Sequence, residues 1–166
     1  MLQTSTAHAK ICRVAPSGLI LCHENEKEIY GESAAACLAI HREFPRIRAV
    51  FDPANFVQCG ADTAAAFDAL APYIEYLHVK DADARGKVVL AGDGAGKIPL
   101  ILEKYRAIGG EVVTLEPHLK AFVGLEKLEN GKSLESGGVY KTGEEAFCSA
   151  AKRLKNIISD LGVKLT

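Results

Sequence analysis

Short apolar runs that end in a polar side chain alternate along this chain with longer stretches whose apolar positions recur every three or four residues. Leu19 to Cys22 is a continuous apolar run, the pattern of a strand covered on both faces, and it ends at His23-Glu24-Asn25. Ala49-Val50-Phe51 ends at Asp52, Ile74 to Val79 carries His78 near its end, and Val112 to Leu115 ends at Glu116. Helical spacing fills the intervals. From Glu32 to Phe44, Ala34, Leu38 and His41 share a stripe with Cys37 and Phe44, and Pro45 closes it. Asp62 or Thr63 caps a helix carrying Phe67 and Leu70 as far as Pro72. Pro99 suits the first turn of another, with Ile101, Leu102, Tyr105 and Ile108, which Gly109-Gly110 stops. A long last helix, from about Glu144 to Leu161, places Phe147, Ala151, Leu154, Ile158 and Leu161 on one stripe. Ala7, Ile11 and Val14 predict a leading helix over residues 5–14, and residues 120–143, with Asn130-Gly131 and Gly137-Gly138, read as a loop-rich insertion.

Strand then helix, four times over, implies an α/β fold with parallel strands joined by right-handed crossovers. All strand C-termini then lie at one face, so Glu24, Asp52, His78 and Glu116 converge although they are far apart in sequence. Two Glu, one Asp and one His form a hard, mostly oxygen donor set suited to Mn²⁺, Mg²⁺ or Co²⁺, with Zn²⁺ also accommodated. A lone acid at a strand end ordinarily caps a helix or is solvated, and a lone His after Tyr76-Leu77 ordinarily sits satisfied in a core. Four such residues in register favour ligation instead.

With 166 residues and 48% hydrophobic content, one core suffices, and residues 1–166 are expected to form a single domain. The net charge of -1 and the absence of a basic cluster interleaved with aromatics argue against nucleic acid as a partner. No segment reads as a signal peptide or a membrane span, so a cytoplasmic protein is expected. Five cysteines, none spaced as C-x-x-C, point to reduced thiols rather than a disulfide framework or zinc knuckle. Gly92-Asp93-Gly94-Ala95-Gly96-Lys97 fails as a phosphate loop, since three residues rather than four separate the outer pair of glycines and Ile98 follows the lysine. It reads as a mobile loop over the strand ends.

The stretches His23-Glu24-Asn25-Glu26-Lys27, Phe51-Asp52-Pro53-Ala54-Asn55-Phe56, His78-Val79-Lys80-Asp81 and Leu115-Glu116-Pro117-His118, in this order, resemble the xylose-isomerase-like barrel superfamily, and within it the sugar phosphate isomerase/epimerase group. The resemblance covers roughly residues 5–160. It implies metal ligands at Glu24, Asp52, His78 and Glu116, carried by the fifth to eighth strands of a TIM barrel, with both glutamates also flanking the substrate. A complete barrel has eight strands in about 250 residues, so this chain is expected to form roughly half of one, strands 5–8.

A divalent ion so held would chelate adjacent hydroxyl and carbonyl oxygens of a sugar or sugar phosphate and stabilise an enediolate. Glu24 and Glu116, on opposite sides of the strand set, would remove and return the proton, giving epimerisation or isomerisation. Asn55, three residues after Asp52, either touches a substrate hydroxyl or shapes the Pro53 turn. Lys80 and His118 adjoin the ligands as substrate contacts or as supports for the ligands, in company with His23 and Asp81, although strand alternation turns His23 away from Glu24. Two other readings stay open. One is a catalytically silent half-barrel or a subunit completed by another chain, by homo-oligomerisation or by a separate half. The other is an endonuclease-like phosphodiesterase, which needs further His ligands and a basic groove, neither visible.

Overall fold

The computed structural model describes residues 18–27, 29–120 and 140–163. The helix expected over 5–14 and most of the 120–143 insertion lie outside them. The chain runs β1 (Leu21–Glu24), α1 (Ala34–Glu43), β2 (Ile47–Phe51), α2 (Pro53–Gln58), α3 (Thr63–Leu70), a 3₁₀ turn (Ala71–Tyr73), β3 (Ile74–Val79), β4 (Asp81–Ala82), β5 (Val88–Val89), α4 (Ile98–Ala107), β6 (Val113–Leu115) and α5 (Gly143–Asp160). Strands β1, β2, β3 and β6 form one sheet in that order, each pair parallel, while β4 and β5 make a small antiparallel hairpin. This is the expected α/β half-barrel. The register between β2 and β3 shifts between Ala49 and Val50.

Local sequence explains the helix starts. Ser33 accepts the Ala36 N–H, Asp62 the Ala65 N–H and Thr142 the Glu145 N–H, each satisfying a donor that the first turn cannot. Helix α2 was not expected as a helix, yet its signal is present: Asp52 caps it and Pro53 opens its first turn. The core lies between one face of the sheet and the helices. Phe51 packs at 5.2 Å from Phe56 and 5.3 Å edge-on to Phe67, with Leu77, Ile101, Leu154 and Ile158 around them.

Two packing expectations are corrected. Leu19 and Ile20 are each 62% exposed and Cys22 is exposed, so β1 is not covered on both faces: among the described residues helices cover one side of the sheet only. Helix α5 buries Ala146, Ala150, Leu154 and Ile158, while Phe147 faces solvent. Its stripe thus repeats every four residues and begins one position earlier than expected, because the small alanines allow the helix to sit close to the loops at its start. Of the described cysteines only Cys37 is buried. Among the described residues no helix is long and apolar enough to cross a membrane.

The glycine-rich loop is tethered rather than free. Asp81, 1% exposed, accepts hydrogen bonds from the N–H groups of Gly92 and Gly94 at Oδ2 (2.8 and 3.1 Å) and from those of Gly96 and Ala82 at Oδ1 (both 2.9 Å). The cradle that resembles a phosphate loop therefore holds an internal carboxylate. Side chains at 94 and 96 are excluded, since a Cβ at either position would run into the Asp81 carboxylate. An Asp81→Asn substitution turns an NH₂ group against two N–H donors, and we expect a loss of about 2–4 kcal/mol, measured by urea denaturation. Stability within experimental error of the wild type would show that the cradle does not anchor the loop.

Candidate metal centre

Each proposed ligand ends a strand or stands one position from its end. Glu24 is the last residue of β1, Asp52 follows β2, His78 is the penultimate residue of β3, and Glu116 follows β6. Glu24 and Glu116 therefore belong to the two edges of the four-stranded sheet. In a flat sheet three interstrand steps of roughly 4.8 Å would separate those edges by about 14 Å. Here one potential ligand atom from each of the four residues lies within 4.8 Å of the others, so strand curvature and the reach of the glutamates together close the gap.

His78 is the hub of the cluster. Its Nδ1 stands 3.0 Å from Glu24 Oε1 and 3.5 Å from Glu116 Oε2. Burial opposes charging the imidazole, but the hydrogen bonds to Glu116 and Glu24 outweigh it and push His78 up to about 10. The same His78 bond, aided by the Lys80 ammonium and opposed by burial, pulls Glu116 down to about 2. Asp52 is fully buried. Burial pushes it up to about 6 against the pull of Lys80, which leaves it ionised at neutral pH. Lys80, itself buried, places Nζ 2.9 Å from Asp52 Oδ2 and 3.4 Å from Glu116 Oε2. Burial disfavours its charge, yet the two carboxylates hold it above the ordinary lysine range.

The donor set fits a cation. Three carboxylates packed this closely need positive charge among them, and an imidazolium and an ammonium supply it. Asp52 Oδ1 is committed to the Asn55 N–H at 3.1 Å, whereas Oδ2, though near Lys80, receives no hydrogen bond of good geometry. A buried oxygen in that condition suits a metal bond.

Asn25 was not singled out from the sequence. Its Nδ2 donates to the Asp52 carbonyl and its Oδ1 accepts the Asp52 N–H, both at 2.8 Å, so it clamps the Asp52 peptide from the neighbouring strand. Asn55, 1% exposed, donates to the Asn25 carbonyl at 2.9 Å and to Glu24 Oε1 at 3.4 Å. His118 adopts a positive φ of 40°, and its Nε2 lies 3.8 Å from Glu116 Oε1. His23 turns to the helix side, with Nε2 3.1 Å from the Tyr30 carbonyl oxygen.

No protein family model matches the sequence, and no curated protein matches it either. Among solved structures, D-psicose 3-epimerase from Clostridium cellulolyticum H10, determined with D-tagatose, aligns at a TM-score of 0.68 and 16% identity over 95% of this chain and 55% of that one. An L-ribulose 3-epimerase aligns at 0.67 and 18% identity over 96% and 56%. A xylose isomerase domain protein from Planctomyces limnophilus aligns at 0.62 and 20% identity over 94% and 51%. The fold is an α/β half-barrel that matches roughly half of the barrel in each of these solved chains. The half-barrel spans about half the length of these solved chains, and identities this low establish the architecture, not the reaction.

In protein stripped of divalent ions, pairing of His78 with the glutamates raises its folded-state value above the 6.5 of a free imidazole to about 10. That contribution to stability is complete below pH 6.5 and is lost as pH rises toward 10. The melting temperature is expected to fall across that window, and His78→Asn to flatten the fall. A wild-type profile that is level throughout would contradict the pairing.

Proposed function

We propose that this half-barrel binds a divalent cation through Glu24, Asp52, His78 and Glu116 and serves the isomerisation or epimerisation of a sugar or sugar phosphate. One observation carries the reading: four ligand atoms from four different strand ends share a region 4.8 Å across at the rim where such folds do their chemistry. The oxygen-rich set favours Mn²⁺, Mg²⁺ or Co²⁺ and also accepts Zn²⁺. Such an ion would polarise adjacent hydroxyl and carbonyl oxygens of the substrate and make the proton on the intervening carbon easier to remove.

The chain's own groups do the rest. Glu24 and Glu116 come from opposite edges of the sheet, so that one would take that proton and the other return one from the far side. Asn55 is held by its amide nitrogen, and its Oδ1 has no donor among the described residues, which leaves an acceptor for a substrate hydroxyl. Lys80 and His118 flank Glu116, where they would bear on substrate oxygens as well as on the ligand. The free thiols fit a cytoplasmic setting.

Metal titration of the purified chain is expected to find one Mn²⁺ bound and Glu116→Gln to weaken it more than tenfold, in line with loss of a ligand rather than of an outer support. With a ketohexose in D₂O, exchange at the carbon beside the carbonyl should appear by NMR and vanish in Glu116→Gln. A chain that holds no divalent ion, or whose affinity is unchanged in Glu116→Gln, overturns the proposal.

The half-length match favours a companion reading, in which the active unit is completed by another four strand-helix units, from a second copy or a separate chain. Two sheet edges that are open among the described residues, and the exposed Leu19, Ile20 and Val112 beside them, support it. Sedimentation should then find a dimer or larger species. A cooperative, well-folded monomer that turns over substrate would refute it.

A further inference from the structure

Lys80 brings a fixed positive charge into the cluster proposed to hold a metal cation. It follows β3, and strand alternation places it on the same face as Tyr76 and His78. Its side chain is 5% exposed, and its ammonium stands 2.9 Å from Asp52 Oδ2 and 3.4 Å from Glu116 Oε2, so it touches two of the four ligands. Asp52 is fully buried and fixed on both sides, by the Asn25 clamp on its peptide and by its cap on α2, so it cannot turn away from Lys80 without giving up the Asn55 N–H. The ammonium is thus a permanent neighbour of the site.

We propose that Lys80 sets the charge of the ion that this pocket retains. Three carboxylates and one ammonium leave the pocket with two net negative charges when the imidazole acts as a neutral ligand, and a divalent ion cancels them. A trivalent ion would leave an excess positive charge in a partly buried place, and it also meets one and a half times the repulsion from Lys80 that a divalent ion meets. A lysine at this position therefore discriminates by charge where size and donor type do not, since Mn²⁺ and the hard trivalent ions favour similar oxygen donors. The inference rests on the metal reading proposed above and adds a role for one residue within it.

The test compares Mn²⁺ and Tb³⁺ binding to the full chain, by calorimetry and by terbium luminescence, for which the Tyr76 ring, 5.4 Å from the His78 ring, is a nearby antenna. Lys80→Gln keeps a polar side chain beside Asp52 but removes the charge, and Lys80→Met serves if that variant does not fold. Either is expected to raise Tb³⁺ affinity at least roughly tenfold more than Mn²⁺ affinity. Lys80→Arg, which keeps the charge, should leave the ratio of the two near that of the wild type. Equal weakening of both ions in the uncharged variants would mean that Lys80 only props Asp52, and would overturn the inference while leaving the metal site standing. Failure of the wild type to bind either ion would remove the metal reading and this inference together.

Discussion

Three carboxylates share one rim of a parallel sheet here because an imidazole and a buried ammonium stand among them. Without that positive charge, Glu24, Asp52 and Glu116 would repel one another across a few ångströms in a partly desolvated place, and the edge strands would be pushed apart at the rim. With it, the same residues draw β1, β3 and β6 together. The attraction is local, but it acts where the sheet has to curve, so the electrostatics of the site and the shape of the fold are one problem. His78 joins the two edges and Lys80 ties the centre to one of them.

Around this cluster the backbone is held by a network of polar side chains. Asn25 clamps the Asp52 peptide, Asp52 caps α2, and α2 presents Asn55 back to Asn25 and Glu24, a closed circuit across two strand ends. Asp81 performs a similar service one strand over, gathering three glycine N–H groups and that of Ala82. Buried polar groups tied together by this many hydrogen bonds favour one geometry over several. They account for the placement of side chains within the cluster to a precision that apolar packing alone does not impose.

Much of this was readable in the residues. Proline and glycine punctuation, capping side chains and period placed β3 over Ile74–Val79 and located the long helices to within a residue or two. The four residues of the cluster were readable because each stands at or beside the end of an apolar run. Helix α2 was missed although Asp52 and Pro53 signal it, since six residues are too few for a period to emerge. The displaced stripe of α5 has a different cause: alanine carries little weight in a hydrophobic pattern, whereas close packing prefers it, so Ala146 and Ala150 went inside and Phe147 went out.

Local sequence was sufficient to say which residues form strands and helices, that the strands run parallel, and which side chains stand at their C-terminal ends. Those properties depend on neighbours in the chain, through period, capping and the geometry of crossovers. The curvature that brings Glu24 to Glu116, the single covered face of β1, the clamp by Asn25 and the burial of Lys80 between Asp52 and Glu116 were decided by the assembled structure. Each depends on residues tens of positions apart meeting in space, and hydrophobic pattern carries no record of which polar groups will find one another once the apolar ones have been buried.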